Sequence, residues 1–183
     1  MSTLSYTLRH ECPSDEDAIE ALHAGAFGPG RFARTAFRIR ESVPHDPRLS
    51  FVAESSGGEV LGSVRLTPIR IGATKAQLLG PLAVVASYNG LGIGRNLMGH
   101  AMGEAARLGE GLVLLVGDLS YYGPSGFVRV PQGRISLPGP VDPARLLIAE
   151  LHEDALNGVS GMVHGGDAGS NTSASQATAA ATA

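Results

Sequence analysis

The chain has 183 residues, with 14 Lys+Arg against 17 Asp+Glu, a formal net charge of −3, and 43% hydrophobic residues. That length fits one domain able to bury a core without staples, and the composition is that of a folded chain. The small negative charge speaks against a general nucleic-acid or anionic-membrane binder, and the single cysteine, Cys12, excludes a disulfide framework or a Cys-based zinc site.

Residues 5–10 alternate weakly and predict a first strand. Ser14 precedes Asp15, Glu16 and Asp17, which reads as an N-cap with acids in the first turn of a helix. Ile19, Leu22, His23 and Ala26 follow at helical spacing, and Gly28-Pro29-Gly30 stops that helix. Phe32, Ala36 and Ile39 lie on one stripe of a second helix, and Arg31, Arg34 and Arg38 on another. Residues 49–54 and 60–71 predict two strands joined at Ser56-Gly57-Gly58, and residues 77–85 a third, interrupted by Gly80-Pro81. Residues 90–108 make the best helix, with Ile93, Leu97, Ala101, Ala105 and Leu108 on one face. Gly99 and Gly103 within it suggest close packing on a sheet. Residues 111–116 form a continuous apolar run, as in a buried strand. Asp142-Pro143 reads as N-cap and N1 of a further helix through Leu146, Leu147 and Leu151, and residues 159–164 as a last strand. The whole is a mixed sheet with helices, α/β or α+β, with one βαβ unit over residues 77–116. One domain is expected over residues 1–164. Residues 165–183, rich in Gly, Ala, Ser and Thr, are expected to form a disordered tail. No segment reads as a membrane span or a secretory signal, so the expected compartment is the cytoplasm.

Glycine is over-used, 25 residues beside five Phe, four Tyr and no Trp. The chemically telling cluster is Asn89-Gly90-Leu91-Gly92-Ile93-Gly94-Arg95, between an apolar strand and the best helix. Glycines let backbone approach a ligand closely, and the first N–H groups of a helix have no internal partner, so the turn suits a phosphate. It is neither a dinucleotide fingerprint nor a P-loop: no third glycine completes G-x-G-x-x-G, and Gly94 to Gly99 is followed by His100-Ala101 rather than Lys-Ser/Thr. The histidines form no H-E-x-x-H, and G-x-S-x-G is absent.

Leu79-Gly80-Pro81-Leu82-Ala83-Val84, followed by the glycine turn, closely resembles motif A of the GNAT superfamily of acyl-CoA-dependent N-acetyltransferases. Gly92 and Gly94 match its [QR]-x-x-G-x-[GA] pattern, and Asn89 stands where Gln or Arg is usual. Residues 118–127, ending Tyr122-Gly123-Pro124-Ser125-Gly126-Phe127, resemble motif B. Residues 26–31 and 137–142 look like the bacterial subgroup of predicted acetyltransferases.

The resemblance implies a mixed, mostly antiparallel sheet flanked by helices and splayed between its fourth and fifth strands, with acetyl-CoA as acyl donor and no metal. The pantetheine arm would bond along Leu82, Ala83 and Val84, and the pyrophosphate would sit on Asn89, Gly90, Leu91, Gly92, Ile93, Gly94 and Arg95. Gly80-Pro81 suits such an opening, because proline cannot donate to a ladder. An N–H of Leu82 or Val84 would face the oxyanion. Tyr122 would protonate the leaving thiolate. Glu54, Asp118 or a water chain remain as general base, and Asp118 also reads as a turn cap. The Arg31/Arg34/Arg38 face is either solvated or an anion site for the acceptor. The function implied is acetyl transfer to a primary amine of a small molecule or protein. The alternatives are an acyl-CoA-binding sensor or partner module without turnover and, less in keeping with the charge, a transferase acting on charged tRNA. A homodimer is a family expectation.

Overall fold

The computed structural model describes residues 5–30, 35–41 and 43–166. Strands β1 (Tyr6–His10), β2 (Phe51–Ser55), β3 (Val60–Ile71) and β4 (Thr74–Val84) form an antiparallel meander. Helices α1 (Glu16–Phe27) and α2 (Thr35–Glu41) occupy the connection from β1 to β2. Helix α3 (Ile93–Arg107) carries the chain from β4 to a parallel β5 (Leu112–Val116). There follow α4 (Leu119–Tyr122), β6 (Val128–Arg129), β7 (Ile135–Ser136), β8 (Leu146–Glu150) and β9 (Gly161–Gly165). The sheet runs β1-β2-β3-β4-β5-β8-β6, and β9 pairs with β3 at Ile69–Ile71, beyond the stretch that β2 covers. This is the mixed, mostly antiparallel sheet that the resemblance implies.

Alternation sorts the core onto two faces. Val113, Leu115, Leu147 and Ala149 pack with the α3 stripe of Ile93, Leu97, Ala101 and Ala105, while Leu112, Leu114, Leu146 and Ile148 pack with Ile39 of α2 on the other side. The same alternation corrects one expectation. The helix expected from Asp142 is a single 3-10 turn, Pro143–Arg145, capped by Asp142, whose Oδ1 accepts the Ala144 N–H at 2.9 Å. Leu146 and Leu147 after it open β8, between β5 and β6, and Leu151 follows its end. A strand buried on both faces reads as a continuous apolar run, so short helical spacings occur in it by chance.

A 3-10 turn, Pro13–Asp15, precedes α1, and Ser14 does not cap the helix; the Asp15 carboxylate accepts the Cys12 N–H instead. Gly99 and Gly103 are exposed, with no atom within 4 Å of where a Cβ would stand, so sheet packing does not explain them. The last strand reaches Gly165, and residues 167–183 of the expected tail lie outside the described residues.

Ion pairs tie β1 and its exit to the rest. Arg9 donates to both Asp15 and Glu54. Arg65 donates to Glu11 at 2.6 and 2.9 Å and to Glu16 at 2.5 Å, and His45 lies 3.3 Å from Glu11. Burial alone would raise the Glu11 carboxyl, but hydrogen bonds from His45 and Arg65 outweigh it and bring it down to about 2. A carboxylate with a depressed folded pKa stabilises above its unfolded value, near 4.5 here, and that contribution is lost as pH falls towards about 2. Glu11→Gln is therefore expected to lower stability at pH 7 by about 2 kcal/mol and to flatten the loss between pH 5 and pH 2, checked by urea unfolding across pH.

Candidate active site

β4 and β5 pair only at Gln77↔Val113 and Leu78↔Leu114. Immediately beyond, the register of β4 against β3 jumps from Leu79↔Leu66 to Leu82↔Val64, so Gly80 and Pro81 together face Arg65. This is a bulge, and Pro81, after a cis peptide, brings no N–H to it. On the β5 side, Leu82, Ala83 and Val84 have no strand partner among the described residues. The sheet is thus open where Gly80-Pro81 suggested.

The glycine turn lies at the end of this opening. Gly90 and Gly92 have φ of +81° and +85°, a left-handed conformation that side chains strain, and neither has an atom within 4 Å of a Cβ position. Gly92 is the N-cap of α3, so the first amides of that helix lack helical acceptors. A cavity of about 230 Å³ opens over them, lined by Val84, Asn89, Gly90, Gly92, Ile93, Gly94 and Arg95 together with Tyr88 and Tyr121. Leu91 is exposed and lies outside this lining, and Ala83 is buried. Tyr121 was not singled out from the sequence, although its hydroxyl would stand 2.6 Å from a Cβ on Gly94 and Arg95 sits over its ring.

Adjacent helical residues point about 100° apart, and α4 uses this to send two tyrosines to two places. The Asp118 carbonyl accepts the N–H groups of both Tyr121 and Tyr122. Tyr121 then lines the glycine-turn cavity, and Tyr122 a second cavity of about 390 Å³ with Leu79, Gly80, Pro81 and Leu82. The Tyr122 ring meets Tyr121 and Phe127 edge-on, at 4.8 and 5.9 Å between centroids. It also covers Gly117, where a Cβ would come 2.3 Å from Cε2. Burial, with smaller contributions from Tyr121 and Asp118, pushes the Tyr122 phenol up to about 12, against Arg145 and Arg40. Gly117→Val is expected to displace this ring and to lower turnover at least tenfold while β5 stays paired; steady-state rates and the fluorescence of the tyrosine pair check it.

The larger cavity runs from the parted strands to α1 and α2. His23 of α1 is buried, its Nε2 3.2 Å from the Ser63 hydroxyl and its Nδ1 3.7 Å from Glu20. Thr35 of α2 donates to the Pro140 carbonyl at 2.7 Å, closing the rim that also carries Asp142. Arg40 of α2 enters the cavity and donates from Nη2 to the Leu79 carbonyl at 3.2 Å. Sequence reasoning passed over Arg40, which follows Ala36 by one turn beside the buried Thr35–Ile39 row. Of the arginines it chose, Arg38 is exposed and does not line the cavity, while Arg31 and Arg34 lie outside the described residues. Glu54 lines neither cavity; its carboxylate is held low by the hydrogen bond from Arg9. The Asp118 side chain also lies outside both, accepting from Arg145 Nε at 3.1 Å, and its backbone supports the tyrosines. No described helix is long and apolar enough to cross a membrane.

Comparison with known proteins fits this geometry. The family described as "Acetyltransferase (GNAT) domain" matches residues 46–129, from the turn before β2 through the tyrosine helix to β6. The uncharacterized N-acetyltransferase YhbS of Escherichia coli K12 is 30% identical over 158 residues, 85% of this chain and 93% of that protein. The crystal structure of Escherichia coli YhbS in complex with CoA superposes with a TM-score of 0.77 at 26% identity, over 91% of this chain and 92% of that one. A GNAT acetyltransferase from Brucella melitensis in complex with acetyl-CoA gives a TM-score of 0.58 at 26% identity, over 85% and 100% of the two chains. With sequence, fold and the parted strands in agreement, the chain belongs to the GNAT family of acetyltransferases.

Proposed function

We propose that this acetyltransferase moves the acetyl group of acetyl-CoA to a primary amine of a small molecule or protein. The observation that carries the proposal is the opening between β4 and β5, with the glycine turn at one end and Tyr122 at the other. The pyrophosphate sits on the amides from Asn89 to Arg95, where the dipole of α3 favours an anion. The pantetheine arm follows the free edge of Leu82, Ala83 and Val84, as an added strand would. Both YhbS and the Brucella enzyme are seen with coenzyme A or its acetyl ester, which supports the same ligand here.

The chemistry is direct transfer. The neutral amine attacks the thioester carbon, a C–N bond forms, and the oxyanion is held by an N–H of Leu82 or Val84. The C–S bond then breaks as Tyr122 gives its proton to the sulfur, and solvent restores the phenol. The nitrogen loses its surplus proton to a base; His23, Glu20 and Asp142 in the larger cavity have that capacity. Titration calorimetry with coenzyme A, followed by thiol release from acetyl-CoA over a panel of primary amines, tests the proposal. Binding with amine-dependent thiol release is expected. Binding with no release from any amine would leave a coenzyme A-binding module instead.

A further inference from the structure

We infer that the amine acceptor carries a carboxylate, held by the Arg40 guanidinium beside the bulge of β4. This rests on the acetyltransferase reading of the same site. Arg40 lines the larger cavity and carries five N–H donors, and the described residues give it one acceptor, the Leu79 carbonyl. Its Nε is buried with no hydrogen-bond partner. The group lies close against the backbone, since a Cβ on Gly80 would come 2.9 Å from Nη2. No described carboxylate pairs with it, whereas Arg9, Arg48, Arg65, Arg107 and Arg145 all have one. Arg145, another guanidinium of the described lining, is taken by Asp118; of the lining carboxylates, Asp142 is engaged by the Ala144 N–H and Glu20 lies 3.7 Å from His23.

A half-buried cation with no counter-ion among the described residues is costly, and desolvation lowers the Arg40 guanidinium to about 10. Such a site is completed by a ligand that brings the negative charge. A planar carboxylate matches the guanidinium fork with two parallel N–H bonds. The position also serves the reaction. Arg40 and Tyr122 line the same cavity, and Arg40 lies against the β4 bulge, so a ligand anchored there is held beside the parted strands. A protein lysine side chain would bring only a second positive charge. At about 390 Å³ the cavity is of small-molecule size.

The test uses the full chain saturated with coenzyme A, titrated calorimetrically with free amino acids from glycine to lysine, each paired with its carboxamide. The carboxylate member of at least one pair is expected to bind tenfold or more tightly than its amide. Arg40→Gln is expected to abolish that preference and Arg40→Lys to keep part of it, with coenzyme A affinity within twofold in both. Equal binding of acid and amide, no binding of any pair, or a preference that survives Arg40→Gln would overturn the inference. The wild-type comparison decides even where a variant fails to fold. Acetyl transfer to neutral amines or lysine peptides without a carboxylate preference would leave the transferase reading standing and this inference refuted. A carboxylate preference with no thiol release from acetyl-CoA would do the reverse.

Discussion

Tyr122→Phe should leave coenzyme A affinity within about twofold and lower kcat by roughly 10²–10⁴, the usual contribution of a positioned general acid. The ring keeps its contacts with Phe127 and Gly117 in the variant, so the fold is expected to hold. Only the proton for the departing sulfur is lost. The pH dependence gives an independent check. Tyr122 acts in its protonated form, and with its phenol raised to about 12 that form persists through the whole working range. The wild-type rate should therefore rise with pH as the amine loses its proton, without a falling limb between pH 7 and 10. A variant with unchanged kcat would remove Tyr122 from the chemistry.

Gly92→Leu is expected to weaken coenzyme A binding by at least 100-fold. Two effects act together. The left-handed φ of +85° costs a side chain about 1–3 kcal/mol. The new side chain also projects into the cavity above the α3 amides, where nothing now stands within 4 Å. The strain falls on stability, and the obstruction falls on binding. Gly103→Ala is the control, since Gly103 is an exposed glycine within α3 with open surroundings and no left-handed φ. It should stabilise the fold by about 0.5–1 kcal/mol and leave coenzyme A affinity unchanged. Calorimetry and thermal melting on the two variants read both quantities. Undiminished affinity in Gly92→Leu would dissociate the glycine turn from the ligand.

What could be read from the residues was local or carried by a motif. Alternate apolar residues marked β3 from Val60 to Ile71, and a run of four-residue spacings marked α3. Gly80-Pro81 marked the bulge because proline has no N–H for a ladder, a constraint that needs no partner to be known. β8 was misread because burial on both faces erases the period that separates strand from helix. The acceptor side was the least legible part. Arg40, His23 and Glu20 lie far from motif A in the chain and meet Leu79 and Tyr122 only when α1 and α2 pack over the sheet. The Arg31/Arg34/Arg38 spacing was a pattern along one expected helix, whereas Arg40, which lines the cavity, sits one turn after Ala36. Tyr121 was not singled out in the sequence, and its hydroxyl packs over Gly94 at the glycine turn. Glu54 drew notice as a strand-end acid, and its pairing with Arg9, distant in sequence, takes it out of the site.

The central claim is that acetyl-CoA lies in the opening between β4 and β5, and a crystal structure with coenzyme A bound tests it most directly. The expected result is pyrophosphate density on the amides from Gly90 to Arg95, with pantetheine along Leu82–Val84 and its sulfur within hydrogen-bond reach of the Tyr122 hydroxyl. Coenzyme A bound elsewhere, or with its sulfur remote from Tyr122, would contradict it.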